Sequence, residues 1–237
     1  MDFTKAFAAI MDALPYLLSG IWWTAALVAG AMLLGLCMGI PMAVGQVYGS
    51  PRVRRLVGFY VWLFRGVPIL VMLYLFYFGI LAFLTDVFPA LRVIGLDSAF
   101  AAAAIVLGLT SGAYQSQLFR GAILSLPPGQ LKAARALGMS DSVAITSIIL
   151  PQALRLAIPG WSNEYSIILK DSALAFAIGV MELMSRTRSV ASTTHQPLPL
   201  ALFAGVLFFV LTWVGLKALR RLEDKVRIPG YTREGSF

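Results

Sequence analysis

Residues Pro127 to Pro151 read PPGQLKAARALGMSDSVAITSIILP, a charge-bearing interval between two long apolar segments. Proline lacks the amide hydrogen and restricts the residue before it, so Pro127-Pro128-Gly129 ends the preceding helix and a new one begins just after it. Gly138 can adopt the left-handed conformation that stops a helix, and Ser140 or Asp141 can cap the next one. The pattern predicts two short helices joined by a tight turn, outside the membrane core.

The composition of the whole chain is that of a membrane protein. Of its 237 residues, 59% are hydrophobic and only 13% are charged, which is not the balance of a soluble domain. A hydrocarbon core about 30 Å thick takes roughly 20 helical residues to cross. The sequence predicts an all-α protein of about five transmembrane helices, forming a single domain over 1–237 with its core at about 16–221. The predicted spans are approximately 17–46, 56–84, 99–124, 153–178 and 198–219.

The positions of Lys and Arg predict the orientation. Most of them lie in 52–55, in 120–155 and after residue 216, and cytoplasmic loops are enriched in both residue types. We therefore expect an external N-terminus, with the 127–151 loop and a basic tail, 222–237, in the cytoplasm. The net charge of +8 is explained by a basic face against anionic lipid, so no nucleic-acid partner is expected.

Several motifs, in order along nearly the whole chain, carry a family resemblance. Ala133-Ala134, Gly138 and Ile149-Leu150-Pro151 resemble the cytoplasmic EAA loop in the membrane subunits of bacterial ABC importers. Four further motifs resemble the polar amino-acid permeases, the histidine/glutamate/glutamine/arginine/opine group: Phe64-Arg65-Gly66-Val67-Pro68, Gly112-Ala113-Tyr114, Phe119-Arg120-Gly121-Ala122-Ile123 and Leu169-Lys170-Asp171-Ser172. The chain departs from that pattern at Lys132, where the family usually has Glu, and at Gln117, where an acidic residue is common.

The resemblance implies a type I ABC importer transmembrane domain in the bacterial cytoplasmic (inner) membrane. Its partners would be membrane lipid, a second permease subunit (identical or homologous), two ATPase subunits and a periplasmic or lipid-anchored solute-binding protein. No Gly-Lys dipeptide occurs in the chain, so it has no phosphate-binding loop of the GxxxxGK[ST] kind. We therefore expect no enzyme activity and no cofactor in this chain, with ATP and magnesium bound by the partner ATPase.

Polar residues at membrane depth are the candidates for a translocation path, because they are costly in lipid. Glu164 and Asp171 are two helical turns apart and so share one face, about 10 Å apart along the axis. Such a face would take the ammonium end of a zwitterionic amino acid, while Arg65 or Lys170 would answer its carboxylate. The candidate path residues are Arg65, Ser111, Tyr114, Gln115, Glu164, Lys170, Asp171 and Ser172.

The sequence also allows a structural role for these candidate path residues. Arg65 could extend its guanidinium to the cytoplasmic headgroups. The polar run around Ser111 and Gln115 could serve hydrogen bonds between helices only. Lys170 could pair with Glu164 or Asp171 and merely neutralise the bundle, or Lys170 and Asp171 could lie at the external membrane interface. Gly35 and Gly39 have the spacing that lets helix backbones approach closely, which predicts packing against a neighbouring helix or subunit.

The first helix of the 127–151 loop is the candidate contact with an ATPase, because a short polar helix has no core of its own to bury Leu131 and Leu137. The candidate coupling residues are Gln130, Leu131, Lys132, Ala133, Ala134, Leu137 and Gly138. The single cysteine, Cys37, and the lone His195 predict no metal site. The stretch from Glu182 to Pro199 is polar and contains proline, and we expect an extended external loop there.

Two functions from different classes follow. One is a permease subunit of an ATP-driven importer for a polar amino acid or a related solute. The alternative is a non-transporting membrane scaffold that recruits a cytoplasmic protein through the 127–151 loop. Neighbouring genes distinguish them, because a permease gene should lie beside genes for an ATPase and a secreted binding protein.

Overall fold

The structure is a computed structural model that describes residues 3–226, with side chains from residue 7 onward. It is all-helical over this range. The helices are α1 (Phe3–Tyr48), α2 (Pro51–Gly66), α3 (Ile69–Tyr74), α4 (Ala82–Val87), α5 (Ala90–Val93), α6 (Ala99–Ser125), α7 (Gly129–Ala136), α8 (Asp141–Ala144), α9 (Leu150–Asp171), α10 (Leu183–Thr194) and α11 (Pro197–Val226). The predicted basic tail, 222–237, lies outside the described residues beyond Val226, and 222–226 form the end of α11.

Several of these helices join into longer rods. A π-helical segment, Leu75–Leu81, links α3 to α4, and another, Ile145–Ile149, links α8 to α9. A 3₁₀ segment, Ser172–Ile178, continues α9. Five described segments are long and apolar enough to cross a membrane, which confirms the predicted fold class. They are Phe7–Tyr48, Ile69–Val87, Ala99–Ser125, Asp141–Ile178 and Pro197–Val226.

The second predicted span, 56–84, is wrong at its N-terminal end. The chain breaks between α2 and α3, where Val67 is extended (φ −99°, ψ 132°) and Pro68 precedes Ile69. Proline provides no amide hydrogen for a continuous helix and disfavours helical backbone in the residue before it. The crossing segment therefore begins at Ile69, and Arg65 lies in the last turn of a separate helix, where the helix dipole favours a positive charge.

The extended loop predicted from Glu182 to Pro199 is also wrong, since most of it forms α10. The Glu182 carboxylate accepts hydrogen bonds from the amides of Met184 and Ser185, both at 2.7 Å, and so caps the first turn. A helix with few apolar residues leaves a weak periodic signal in the sequence. The helix ends at Thr194 and is followed by His195, whose φ is +55°.

The centre of the bundle is the contact between α1 and α6. A Cβ atom at Gly35 would lie 2.5 Å from Nε2 of Gln115, and one at Gly39 would lie 2.9 Å from Cβ of Gln115. On the facing side, a Cβ at Gly108 would lie 2.5 Å from Cδ2 of Leu34. The predicted close packing of Gly35 and Gly39 is confirmed, and the neighbour is a helix of the same chain. Only small residues allow two backbones to approach so closely in lipid.

The start of α10 is fastened to α1. The Leu183 amide donates to Oγ1 of the buried Thr24 at 3.2 Å. Arg186 donates to the Ser19 hydroxyl at 2.7 Å, and its guanidinium lies 4.7 Å from the centre of the Tyr16 ring. Glu182 itself is fully buried, and this burial raises its pKa to about 7 despite the hydrogen bonds to its carboxylate.

We predict that Glu182 makes stability fall with rising pH. The carboxyl keeps its proton up to about pH 7 in the folded protein but loses it near 4.5 in the unfolded chain, so the free energy of unfolding decreases across that window. Glu182→Gln removes this loss, so its melting temperature should gain roughly 3 °C or more relative to the native protein between pH 5 and pH 8. Thermal unfolding of the detergent-purified proteins measures it, with exposed Asp224→Asn as control. Parallel curves for Glu182→Gln and the native protein would refute the assignment.

Candidate functional site

Gln115 of α6 lies where three membrane-spanning helices meet, and it is fully buried. Its Nε2 donates to the Met32 carbonyl of α1 at 3.1 Å and to the Ser111 hydroxyl, one turn earlier, at 2.9 Å. Its Oε1 accepts from Nε1 of Trp161 on α9 at 3.0 Å. Both ends of the amide are thus occupied by neighbouring helices, so the geometry favours the interhelical alternative for Ser111 and Gln115 over direct contact with a solute.

Glu164 lies on α9, one turn after Trp161, and is 2% exposed. Its Oε1 has no hydrogen-bond partner among the described side chains and backbone groups. A buried carboxylate oxygen without a donor is costly. An incoming ammonium or water would therefore supply the hydrogen bond that Oε1 of Glu164 lacks among the described residues.

The C-terminal end of α9 holds three more predicted path residues in three different settings. Asp171 is half-buried and Lys170 is exposed. Ser172 is buried, and its hydroxyl donates to the Leu169 carbonyl at 2.8 Å, so it is used by its own helix. Within the described part of the chain, Lys170 forms no salt bridge with Glu164 or Asp171. The internal charge pair is therefore not what the structure contains.

Arg65 and Tyr114 are brought together by the packing of α2 against α6. The guanidinium carbon lies 4.7 Å from the centre of the Tyr114 ring, within the range of a cation–π contact. The side chain of Arg65 is exposed and that of Tyr114 half-buried. Because α6 packs against α2 and also against α9, which carries Glu164, this contact places Arg65 on a helix adjoining the anionic candidates.

Two residues near this region were not selected from the sequence. Trp161 fixes the amide of Gln115, and Asn163 is exposed beside Glu164 in the middle of an apolar span. The position of Trp161 was predictable from the spacing, because it precedes Glu164 by three residues and residues three apart share a helix face. Asn163 could be identified from the sequence only as a further polar residue at membrane depth.

The 127–151 loop forms the predicted turn, but only its first helix is short. Helix α7 is followed by Gly138 with a φ of +81°, and the Ser140 hydroxyl accepts from the Val143 amide at 3.5 Å. Helix α8 does not end there: it continues through the π-helical segment into α9. Pro151 directly follows the π-helical segment, where the regular α-helical hydrogen-bond pattern is already interrupted, so its missing amide hydrogen costs less there.

The predicted coupling residues divide between the two sides of α7. Ala134 is buried, and Leu131 is half-buried in a cleft of about 210 Å³ that Tyr48 and Ile149 also line. The expectation that Leu131 has no core in its own chain is therefore wrong. Leu137 is 83% exposed. The side chains of Lys132 and Ala133 and the backbone of Gly138 are also exposed, whereas Gln130 is half-buried.

No metal centre is visible in residues 7–226, where no three His, Cys, Asp or Glu side chains are grouped closely enough to hold an ion.

Comparisons with known proteins agree with these features. The family described as "Binding-protein-dependent transport system inner membrane component" matches residues 35–228. The octopine transport system permease protein OccQ of Rhizobium radiobacter is 33% identical over 229 residues, which is 95% of this chain and 96% of that protein. The histidine/lysine/arginine/ornithine transport system permease protein HisM of Salmonella typhimurium is 34% identical over 214 residues, covering 89% of each chain.

A solved structure is similar over most of its length. The crystal structure of an amino acid ABC transporter with histidines superimposes with a TM-score of 0.78 and 29% identity, covering 92% of this chain and 98% of that one.

Proposed function

Because this chain belongs to the family of binding-protein-dependent transport system inner membrane components, we propose that it lines the solute path of an importer for a polar amino acid or an opine. The predicted resemblance to ABC importer permeases is confirmed by the family and its relatives. The chain is a permease subunit, a transport component. The scaffold alternative has no support among these relatives.

The observation that carries the proposed substrate class is the buried Oε1 of Glu164, which has no hydrogen-bond partner among the described residues. An amino acid presents an ammonium group and a carboxylate. Glu164 and Asp171 would attract the first, and Arg65, held against Tyr114, would attract the second. A solute without a positive charge would leave the Glu164 carboxylate without a counter-charge. A zwitterion or a cation therefore fits this face better. The two relatives named above transport, by their names, octopine and basic amino acids.

The same face supports a second permease subunit as partner. Arg65, Asn163 and Lys170 are exposed in the single chain, although they adjoin apolar membrane-spanning segments. Polar side chains at that depth must be covered by protein or line a wet path. A second copy or a homologous subunit facing this surface would enclose the path between the two chains.

The remaining partners follow from orientation and from α7. With most Lys and Arg on one side, the N-terminus is external and the C-terminus and α7 are cytoplasmic. We place the chain in the bacterial inner membrane. Two ATPase subunits, which would bind ATP and magnesium, would contact the end of α7 where Leu137 is exposed. A periplasmic or lipid-anchored binding protein would deliver solute to the opposite side. Hydrolysis of ATP would then occur in a partner chain.

We predict that Gly138→Leu abolishes solute-stimulated ATP hydrolysis in the reconstituted complex. A residue with a side chain costs roughly 1–2 kcal/mol in the left-handed conformation, so the turn should rearrange and displace Leu137. Gly129→Leu is the matched control, because neither glycine has an atom within 4 Å of an added Cβ but only Gly138 has a positive φ. Normal stimulation in Gly138→Leu would remove the turn from the coupling role.

The test of the substrate face is charge removal. We predict that Glu164→Gln and Asp171→Asn leave assembly of the complex intact while lowering solute-stimulated ATP turnover, about tenfold or more for the buried Glu164, because a charge-assisted contact with the solute is lost. Assembly is measured by size-exclusion chromatography of the complex, and turnover by phosphate release. Asp224→Asn is the control for loss of a distant carboxylate.

Two results would contradict this assignment. Unchanged stimulation in both variants would show that the carboxylates do not meet the solute. Dissociation of the complex before any loss of turnover would show that they serve assembly.

A further inference from the structure

Helix α7 is held by polar contacts at both of its ends. At the N-terminal end, the side-chain amides of Gln130 and Gln152 form a reciprocal pair: each Nε2 donates to the other's Oε1, at 3.0 and 2.9 Å. At the C-terminal end, the Arg135 guanidinium donates to both carboxylate oxygens of Asp141, at 2.6 and 2.7 Å. Both partners, Gln152 and Asp141, belong to the single rod Asp141–Ile178.

The two contacts differ in their surroundings. Arg135 and Asp141 are more than half exposed, and an ion pair in water adds little stability. Gln130 and Gln152 are half-buried, and Gln152 also donates to the Ile148 carbonyl at 2.7 Å. A half-buried amide that loses its partner leaves a donor and an acceptor unpaired. Of the two polar contacts, the amide pair is therefore the one that more strongly resists sliding of α7 along the rod.

The same rod carries the substrate face. From Gln152 to Glu164 the distance along the axis is about 18 Å, at 1.5 Å per residue. Leu131 adds an apolar contact with the region around Ile149, close to Gln152 in sequence. A displacement of α7 that preserves the amide pair must therefore also move the N-terminal part of α9, which contains Gln152.

We propose that the Gln130–Gln152 pair is the positioning contact that makes α7 and the Glu164-bearing helix move as one body. This inference rests on the proposed function, since it assigns the path by which an ATPase bound at α7 acts on the solute site. Neither glutamine contacts solute or nucleotide. Without the pair, α7 stays docked on its ATPase while α9 no longer follows it.

The experiment measures coupling in the assembled complex in proteoliposomes, with its binding protein and a saturating mixture of polar amino acids and opines. We expect Gln152→Leu, which lies on the rod and not on α7, to assemble and to keep the basal rate of ATP hydrolysis. Gln130→Leu removes the same pair from the α7 side, and only its ratio of stimulated to basal turnover is compared. Their ratio of stimulated to basal turnover should fall by about fivefold or more, which is the lower range of coupling between linked sites. Thr146→Val is the control, because it removes a hydroxyl bonded only within the rod.

A covalent replacement separates positioning from general packing. In the double variant Gln130→Cys and Gln152→Cys, made in a Cys37→Ser background, oxidation should restore the stimulated ratio and reduction should abolish it. If the disulfide does not form, the charged pair Gln130→Glu with Gln152→Lys provides the same rescue test.

The outcomes separate this inference from the proposed function. Stimulation in the native complex with equal stimulation in both leucine variants overturns the positioning role alone. Reduced ratios that neither the disulfide nor the charged pair restores also overturn it. Absence of stimulation in the native complex, with its own ATPase and binding protein present, overturns the proposed function instead.

Discussion

The structure depends on the need to satisfy polar atoms at membrane depth. Gln115 meets this need by bonding to α1, to its own helix and to α9 at once, and it can do so only because Gly35 and Gly39 let α1 approach α6 closely. Trp161 is thereby fixed, and with it the rotation of α9. Glu164, three residues further along that helix, is consequently turned into the bundle rather than toward lipid.

The sequence was sufficient for the features that follow from local physics. Length and apolarity predicted five crossing helices, and the glycine spacing predicted a close helix contact, which the structure forms between α1 and α6. The average pattern misleads where a single residue outweighs it. Pro68 divides one apolar stretch into two helices, and the Glu182 carboxylate caps a helix in a segment whose composition suggested a loop.

The candidate site was predictable in kind but not in arrangement. Charge at membrane depth identified Arg65, Glu164 and Asp171 as exceptional. No spacing rule states that Arg65 stacks on Tyr114, because the two lie on helices that are distant in sequence. Ser111 and Gln115 were predicted as path residues because they are polar at membrane depth. The same polarity lets them form hydrogen bonds between helices. Burial and partner geometry, which only the fold supplies, separate the two roles.

The central claim is that the polar face of α9 lines a solute path, and the accessibility of Asn163 tests it most directly. A cysteine placed at Asn163 in a Cys37→Ser background would be treated, in the assembled complex in proteoliposomes, with a membrane-impermeant thiol reagent. A cysteine at Leu202, 63% exposed on the apolar α11, is the control for a lipid-facing position. The account predicts that the Asn163 position reacts, that transported amino acid slows the reaction and that the Leu202 position stays unlabelled. Equal resistance at both positions would show that this face meets lipid or protein instead of a path.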